Sequence, residues 1–203
     1  MEDNKKPIVI FTTFWDADYL IKNRFLLWKR NENIFKINLL FNEDKTPKNF
    51  FVHSIALSQP KNQLDYNNIT RIDCFCPTYN LLSDYKDTKD WDSYTERYVN
   101  LMIKRKDRIK AWADNLEEER VYLLCCWENT KLGSHCHRKI VYEYFCKSKF
   151  MTDRMHLIYR DGDKTTETYD NDNDHVVETL IGMDMEATTT RTTIRELSTR
   201  SWW

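Results

Sequence analysis

A chain of 203 residues has room for one ordinary domain with its own core and is short for two. Hydrophobic residues make up 41%, aromatics 14%, and 31 Lys+Arg stand against 32 Asp+Glu, a formal charge of -1 that argues against a generic basic binder of nucleic acid. No apolar run approaches the roughly 18 residues of a membrane span, and MEDNKKPIVIFTTF lacks a small-residue cleavage site, so the expectation is a soluble cytoplasmic protein with no membrane partner.

Ile8 to Phe11, after Pro7 and before Thr12-Thr13, is β-branched and aromatic and reads as a strand buried on both faces. Asp16 is placed to cap a helix running through Tyr19, Leu20 and Phe25 toward Trp28. FFVHSIALS, Phe50 to Ser58, is a second strand closed by Pro60; Ile69 to Phe75 is a third, ending at Pro77. In SYTERYVNLMIKRKDRIKAWADNL, Ser93 and Glu96 form a capping box. Tyr94, Tyr98, Leu101, Met102, Ile109, Trp112 and Leu116 recur there at helical spacing as one buried stripe. KRKDRIK reads as a solvated basic face, with a nucleic-acid contact as the alternative. RVYLLCC is a buried strand, HRKIVYEYFCKSKF a helix with Ile140, Val141, Tyr144 and Phe145 inward, and RMHLIYR, Arg154 to Arg160, a last strand.

This alternation predicts an α/β fold: three layers, a mainly parallel sheet with flanking helices, Rossmann-like, with right-handed crossovers. The single domain is taken as residues 1–160, followed by a polar, partly disordered extension over 161–203. DGDKTTETYDNDNDH is acidic and almost free of apolar residues, and VVETLIGM offers one more short element. EATTTRTTIRELSTRSWW needs docking to become ordered, with Trp202-Trp203 as a candidate anchor.

Chemistry concentrates in YLLCCWENTKLGSHCHRKIVYEYF, Tyr122 to Phe145. In a parallel sheet, ligands bind beyond the carboxyl ends of strands, where loops enter helix N-termini. The strand ends at Cys126, and Ser134 is the expected N-cap, which puts Cys136 and His137 in the first turn. There the helix dipole, with Arg138 beside it, should hold an anion and lower a thiol's pKa. Glu128 is near enough to orient His137 or Arg138 or to take a proton. Reduced thiols are the default for the six cysteines. Cys125 is expected in the core on the sheet's other side, Cys146 in packing, and His53 as a core histidine. Cys74 and Cys76 should point to one face of a strand. A zinc site from these thiols and imidazoles lacks the familiar C-x₂₋₄-C pairing, so no metal and no cofactor are assigned. With only 3 glycines there is no G-x-G-x-x-G or phosphate loop.

LLCCWEN and CHRKIVYEYF resemble the signature of the domain-of-unknown-function 488 family, in which a strand ending in Leu-Cys-x-Glu is followed by Cys-His-Arg at a helix start. Cys126 and Glu128 match the first element; Cys136, His137 and Arg138 match the second. VHSIALSQPK is similar to the family's Ser-Ile-Ala…Pro segment, CPTYNLLSDYKDTKDWDSYTERYVNLM to its Pro…Leu…Tyr-x-x-x-Tyr helix entry, and IVIFTTF to its first strand. The resemblance spans residues 7–160. Cys125 and the long, lysine-containing loop depart from the pattern. It implies an α/β fold with a site at these residues and no settled reaction.

The resulting expectation is a Cys/His/Arg anion-binding pocket. Cys126, Glu128, Cys136 and His137 are the catalytic candidates, and Arg138, Thr12, Thr13 and Ser134 the ligand-binding ones. The ligand class is small, anionic or nucleotide-like, or nucleic-acid-derived. The rivals are a non-catalytic binding protein and a zinc-stabilised fold.

Overall fold

The computed structural model describes residues 5–29, 48–58, 60, 69–128, 134–161 and 164–166. The elements are β1 (Ile8–Thr13), α1 (Phe14–Lys29), β2 (Phe50–Ser54), β3 (Ile69–Arg71), α2 (Tyr79–Thr88), α3 (Trp91–Lys104), α4 (Lys106–Asp114), β4 (Val121–Cys126), α5 (His137–Lys147), α6 (Lys149–Arg154), β5 (His156–Asp161) and β6 (Lys164–Thr166). The strands form one sheet in the order β3-β2-β4-β1-β5-β6. The first five are mutually parallel, and β6 returns antiparallel on β5. The fold is the expected α/β sheet with flanking helices. Its strand order is neither of the two common doubly wound orders.

The central strands β1 and β4 are buried at every position, as IVIFTT and VYLLCC anticipate. From β1 the chain moves toward the β3 edge; from β3 to β4 and from β4 to β5 it moves the other way. Right-handed crossovers therefore assign α1 to one face and α2–α6 to the other. The aromatic core agrees. Phe11 of β1 meets Tyr142 and Phe145 of α5 at ring separations of 5.4 and 5.5 Å, and Phe75 and Trp112 continue the cluster. Phe11 and its register partners Leu124 and Tyr159 thus face α5. Thr12 and Cys125, one residue on, face α1.

Several boundaries differ from the sequence reading. Thr13, not Asp16, caps α1: its Oγ1 accepts from the Asp16 N–H at 3.0 Å and donates to the Asp16 carboxylate at 3.1 Å. Ser93 is not an N-cap either. Asp90 takes that role, accepting from the Ser93 N–H, so α3 begins at Trp91. The long helix is two, interrupted at Arg105, whose guanidinium turns inward to the carbonyls of Asp73, Cys74 and Cys76. One cation of the basic segment therefore clamps a turn. That turn holds Cys74 and Cys76, which lie beyond β3 rather than on a strand face. Helices α2 and α6 were not anticipated, and β6 falls inside the segment read as tail. VVETLIGM, the Thr/Arg-rich stretch and Trp202-Trp203 lie outside the described residues. Among the described residues no helix is long and apolar enough to cross a membrane.

His53 is the buried core histidine expected. Its Nδ1 accepts from the Trp112 indole N–H at 3.4 Å, and burial lowers its pKa to about 4. An unfolded histidine titrates near 6.5, so between about pH 6.5 and 4 only the unfolded chain takes the extra proton. His53 therefore supports the fold fully above that window and progressively less as the pH falls through it. Wild-type protein should lose about 2 kcal/mol more than His53→Gln between about pH 7 and pH 5, read from urea-unfolding midpoints. An equal loss in both would remove His53 as the cause.

Candidate functional site

β4 delivers Cys125 and Cys126 to the carboxyl edge of the sheet, and the pleat sends the two thiols to opposite faces. Cys126 faces α5. There its Sγ lies 3.0 Å from Glu128 Oε2 and 3.9–4.0 Å from the ring nitrogens of His137. The same Glu128 oxygen lies 3.3 Å from Cys136 Sγ. Two thiols, one carboxylate and one imidazole thus converge where β4 ends and α5 begins. Glu128 is half-buried; Cys126, Cys136 and His137 are buried. Glu128 is the least buried member of the group.

The helix start differs from the expected one. Ser134 is exposed and precedes α5 without capping it. Cys136 is the N-cap: its backbone is extended, and its sulfur accepts from the Arg138 N–H at 3.4 Å. His137 and Arg138 are therefore the first two helical residues. The His137 Nε2–H donates to the Ile55 carbonyl at 2.9 Å, beyond the end of β2, which leaves Nδ1 as the acceptor toward Cys126.

Arg138 is fully buried. Its Nη1 donates to the carbonyls of Thr12 (3.0 Å) and Glu128 (3.2 Å), and its Nη2 to the Tyr159 hydroxyl (3.4 Å). The guanidinium also lies over the Tyr159 ring at 5.3 Å. It knits together the ends of β1, β4 and β5. Thr12 is buried on the α1 side of β1, and Thr13 spends its hydroxyl on the α1 cap.

The electrostatics reverse one expectation. Burial, then the neighbouring Cys126, push the Cys136 thiol well up; His137 and Arg138 oppose this without prevailing. The cause is the near-complete removal of Cys136 from water at 2% exposure. Burial also raises Glu128, but hydrogen bonds from Cys126, its own backbone N–H and Cys136, with His137 nearby, outweigh it and hold the carboxyl below its usual value. Glu128 is therefore an ionised acceptor between two thiols. Cys125 is driven far up by burial, and Cys74 and Cys146 rise to about 11 for the same reason.

The sequence reading missed three contributors: the Ile55 carbonyl, Tyr159, and an aromatic stack. In that stack His135, Trp91, Tyr94 and Tyr98 follow one another at 4.5, 5.1 and 5.9 Å in near-parallel planes, and Tyr98 then meets His137 at 5.2 Å. The Tyr94–Tyr98 spacing along α3 was legible, but as core packing. Its role as a wall running from the surface to the imidazole was not.

These features define an α/β protein with a buried cysteine–histidine–carboxylate cluster at the carboxyl edge of a parallel sheet. Residues 56–149 match the family model described as DUF488-N3a, the active DUF488-N3 subclade. Over that span, a little under half of the chain, the protein is similar to the DUF488 family. Comparison with curated proteins and with solved structures finds no match.

Because Arg138 is buried with three donor contacts, Arg138→Ala should destabilise the protein by about 3 kcal/mol or more in chemical denaturation. Arg138→Lys should not restore it, since an ammonium cannot reproduce the forked geometry. A small loss in either variant would show that the clamp contributes little.

Proposed function

We propose that the protein is a thiol-dependent enzyme in which Cys126 attacks an electrophilic centre of a nucleotide-like or nucleic-acid-derived ligand. The observation that carries this reading is Cys126 Sγ at 3.0 Å from an ionised Glu128, with the acceptor side of His137 beside it. A thiol becomes a nucleophile by losing its proton to such a neighbour. In the step envisaged, the proton passes from Cys126 to His137 Nδ1 while Glu128 orients the thiol, and the sulfur lone pair forms the bond to the ligand. The leaving group departs with its electron pair and recovers a proton from His137. Arg138 supplies a fixed positive charge behind the cluster and shapes the rim through Thr12 and Glu128. Cys136, with its raised pKa, is a neutral hydrogen-bonding neighbour. The outer Trp91–His135 stack offers a surface on which a planar base can lie. The description of the matched subclade as active is consistent with a working site.

In the folded protein at neutral pH, Cys126 should be alkylated by iodoacetamide faster than Cys125 or Cys136. His137→Gln should slow that labelling about tenfold or more, because the thiol loses its proton acceptor. Peptide mass spectrometry resolves the individual sites. An inert Cys126, or a rate indifferent to His137, would remove the nucleophile.

A second reading rests on one observation: Cys126, Cys136 and His137 present ligand atoms all within 4.8 Å of one another. His137 already donates its Nε2–H to a backbone carbonyl, as metal-ligating histidines do, and Glu128 could supply a fourth, oxygen ligand. Structural zinc would contribute folding energy outright. On the thiol reading, a chelator leaves the melting temperature unchanged. Stoichiometric zinc in the purified protein, with a large drop in melting temperature on its removal, would replace the thiol reading by the metal one.

A further inference from the structure

The α1 face of the same sheet edge carries a second polar group that the thiol chemistry does not use. Ser54 is the register partner of Cys125, and Cys125 of Thr12. Phe11 pairs with Tyr159, so Thr12 and Arg160 are the next residues side by side. Partners in a parallel register point to the same face. Ser54, Cys125, Thr12 and Arg160 therefore form a row across β2, β4, β1 and β5, on the side opposite Cys126. All four are buried, with Arg160 at 2% exposure. The Ser54 Oγ, the Thr12 Oγ1, and the Nε and Nη1 of Arg160 have no hydrogen-bond partner among the described residues.

A guanidinium remains charged under all ordinary conditions, and leaving two of its three nitrogens buried without an acceptor is unfavourable. Two hydroxyls in the same row with unused hydrogen-bonding capacity make an apolar purpose for this patch still less economical. The first turn of α1 lies over the row: it follows directly from Thr13, and the charge of Asp16 is felt at Cys125. The N-terminus of this 16-residue helix adds a favourable dipole. Asp16, the acid of that turn, is tied to Thr13.

We propose that Thr12 and Arg160, neighbours in this row, form an oxyanion-binding subsite on the α1 side of the sheet edge, with Ser54 farther along it, separate from the cysteine cluster. The guanidinium donates to the anion from its unsatisfied nitrogens, and the hydroxyls donate to it. A phosphate and a carboxylate share this chemistry. The subsite stands independently of the thiol reading, because it uses none of Cys126, Glu128, Cys136 or His137.

The test uses the full chain, with inorganic phosphate and malonate as probes and sodium chloride at matched ionic strength as the control. Phosphate, malonate or both should raise the melting temperature beyond the chloride control; the stronger of the two names the ligand class. Arg160→Met should abolish that shift and raise the melting temperature of the ligand-free protein, because a buried charge with unsatisfied donors has been replaced by an apolar side chain. Thr12→Val should weaken anion binding about tenfold while the protein stays folded, which keeps the test decisive if the Arg160 variant misfolds. Cys126→Ser should leave the shift intact. No shift with either anion, or a shift undiminished in Arg160→Met and Thr12→Val, would overturn the subsite. A shift lost in Cys126→Ser and kept in Thr12→Val would place the anion in the cysteine cluster instead, and overturn it equally.

Discussion

A parallel sheet leaves the carboxyl ends of its strands to be closed by whatever the following loops supply, and in this protein the closure depends on one buried cation. Arg138 sits in the first turn of α5 and donates to the backbone at the ends of β1 and β4 and to the tyrosine of β5. A charge in that position is tolerable only because carbonyls, a phenol and an aromatic face surround it. The arrangement orients α5 on the sheet. With α5 held there, Cys136 can cap the helix, and His137 is aimed between Ile55 and Cys126. The cluster is a consequence of the clamp.

The sheet also divides the chemistry. Cys125 and Cys126 are neighbours in sequence, yet the two-residue period of a strand sends them to different environments. One thiol joins Glu128 and His137; the other sits in the row with Ser54 and Thr12. The crossovers from β1 and β4 leave on opposite faces, which is the circumstance under which a crevice opens at a sheet edge. The cysteine cluster and Arg160 lie on the two sides of that edge.

Glycine is nearly absent, with 3 in the whole chain. A phosphate cradle of backbone N–H groups needs glycine for close approach and positive φ, so the proposed anion subsite is built from side chains and a helix terminus. Buried arginine and hydroxyl groups at the edge are what such a chain has available. A long side chain also closes the turn after β3, where Arg105 gathers three carbonyls.

The sequence alone determined the elements whose signals are local. IVIFTT and VYLLCC are continuous apolar runs and became central strands; the Tyr94–Tyr98–Met102 stripe became the buried face of α3. The strand-to-helix junction and the crowding of Cys126, Glu128, Cys136, His137 and Arg138 were likewise legible, because the chain order of strand, loop and helix brings them together. Helix starts were less legible. Thr13, Asp90 and Cys136 each lie within a few residues of the expected cap, and several polar residues compete for each position. Only the tertiary structure decided what each group does. Arg138 looks from sequence like a solvent-facing anion clamp, yet burial turns its donors to the protein's own carbonyls. Cys136 looks like an activated thiol, yet loss of water raises its pKa where the helix dipole should lower it. Ile55, Tyr98, Tyr159 and Arg160 reach the edge from far along the chain, and that convergence is set by strand order and register. Desolvation and long-range register are properties of the packed sheet, so no local spacing could have revealed them.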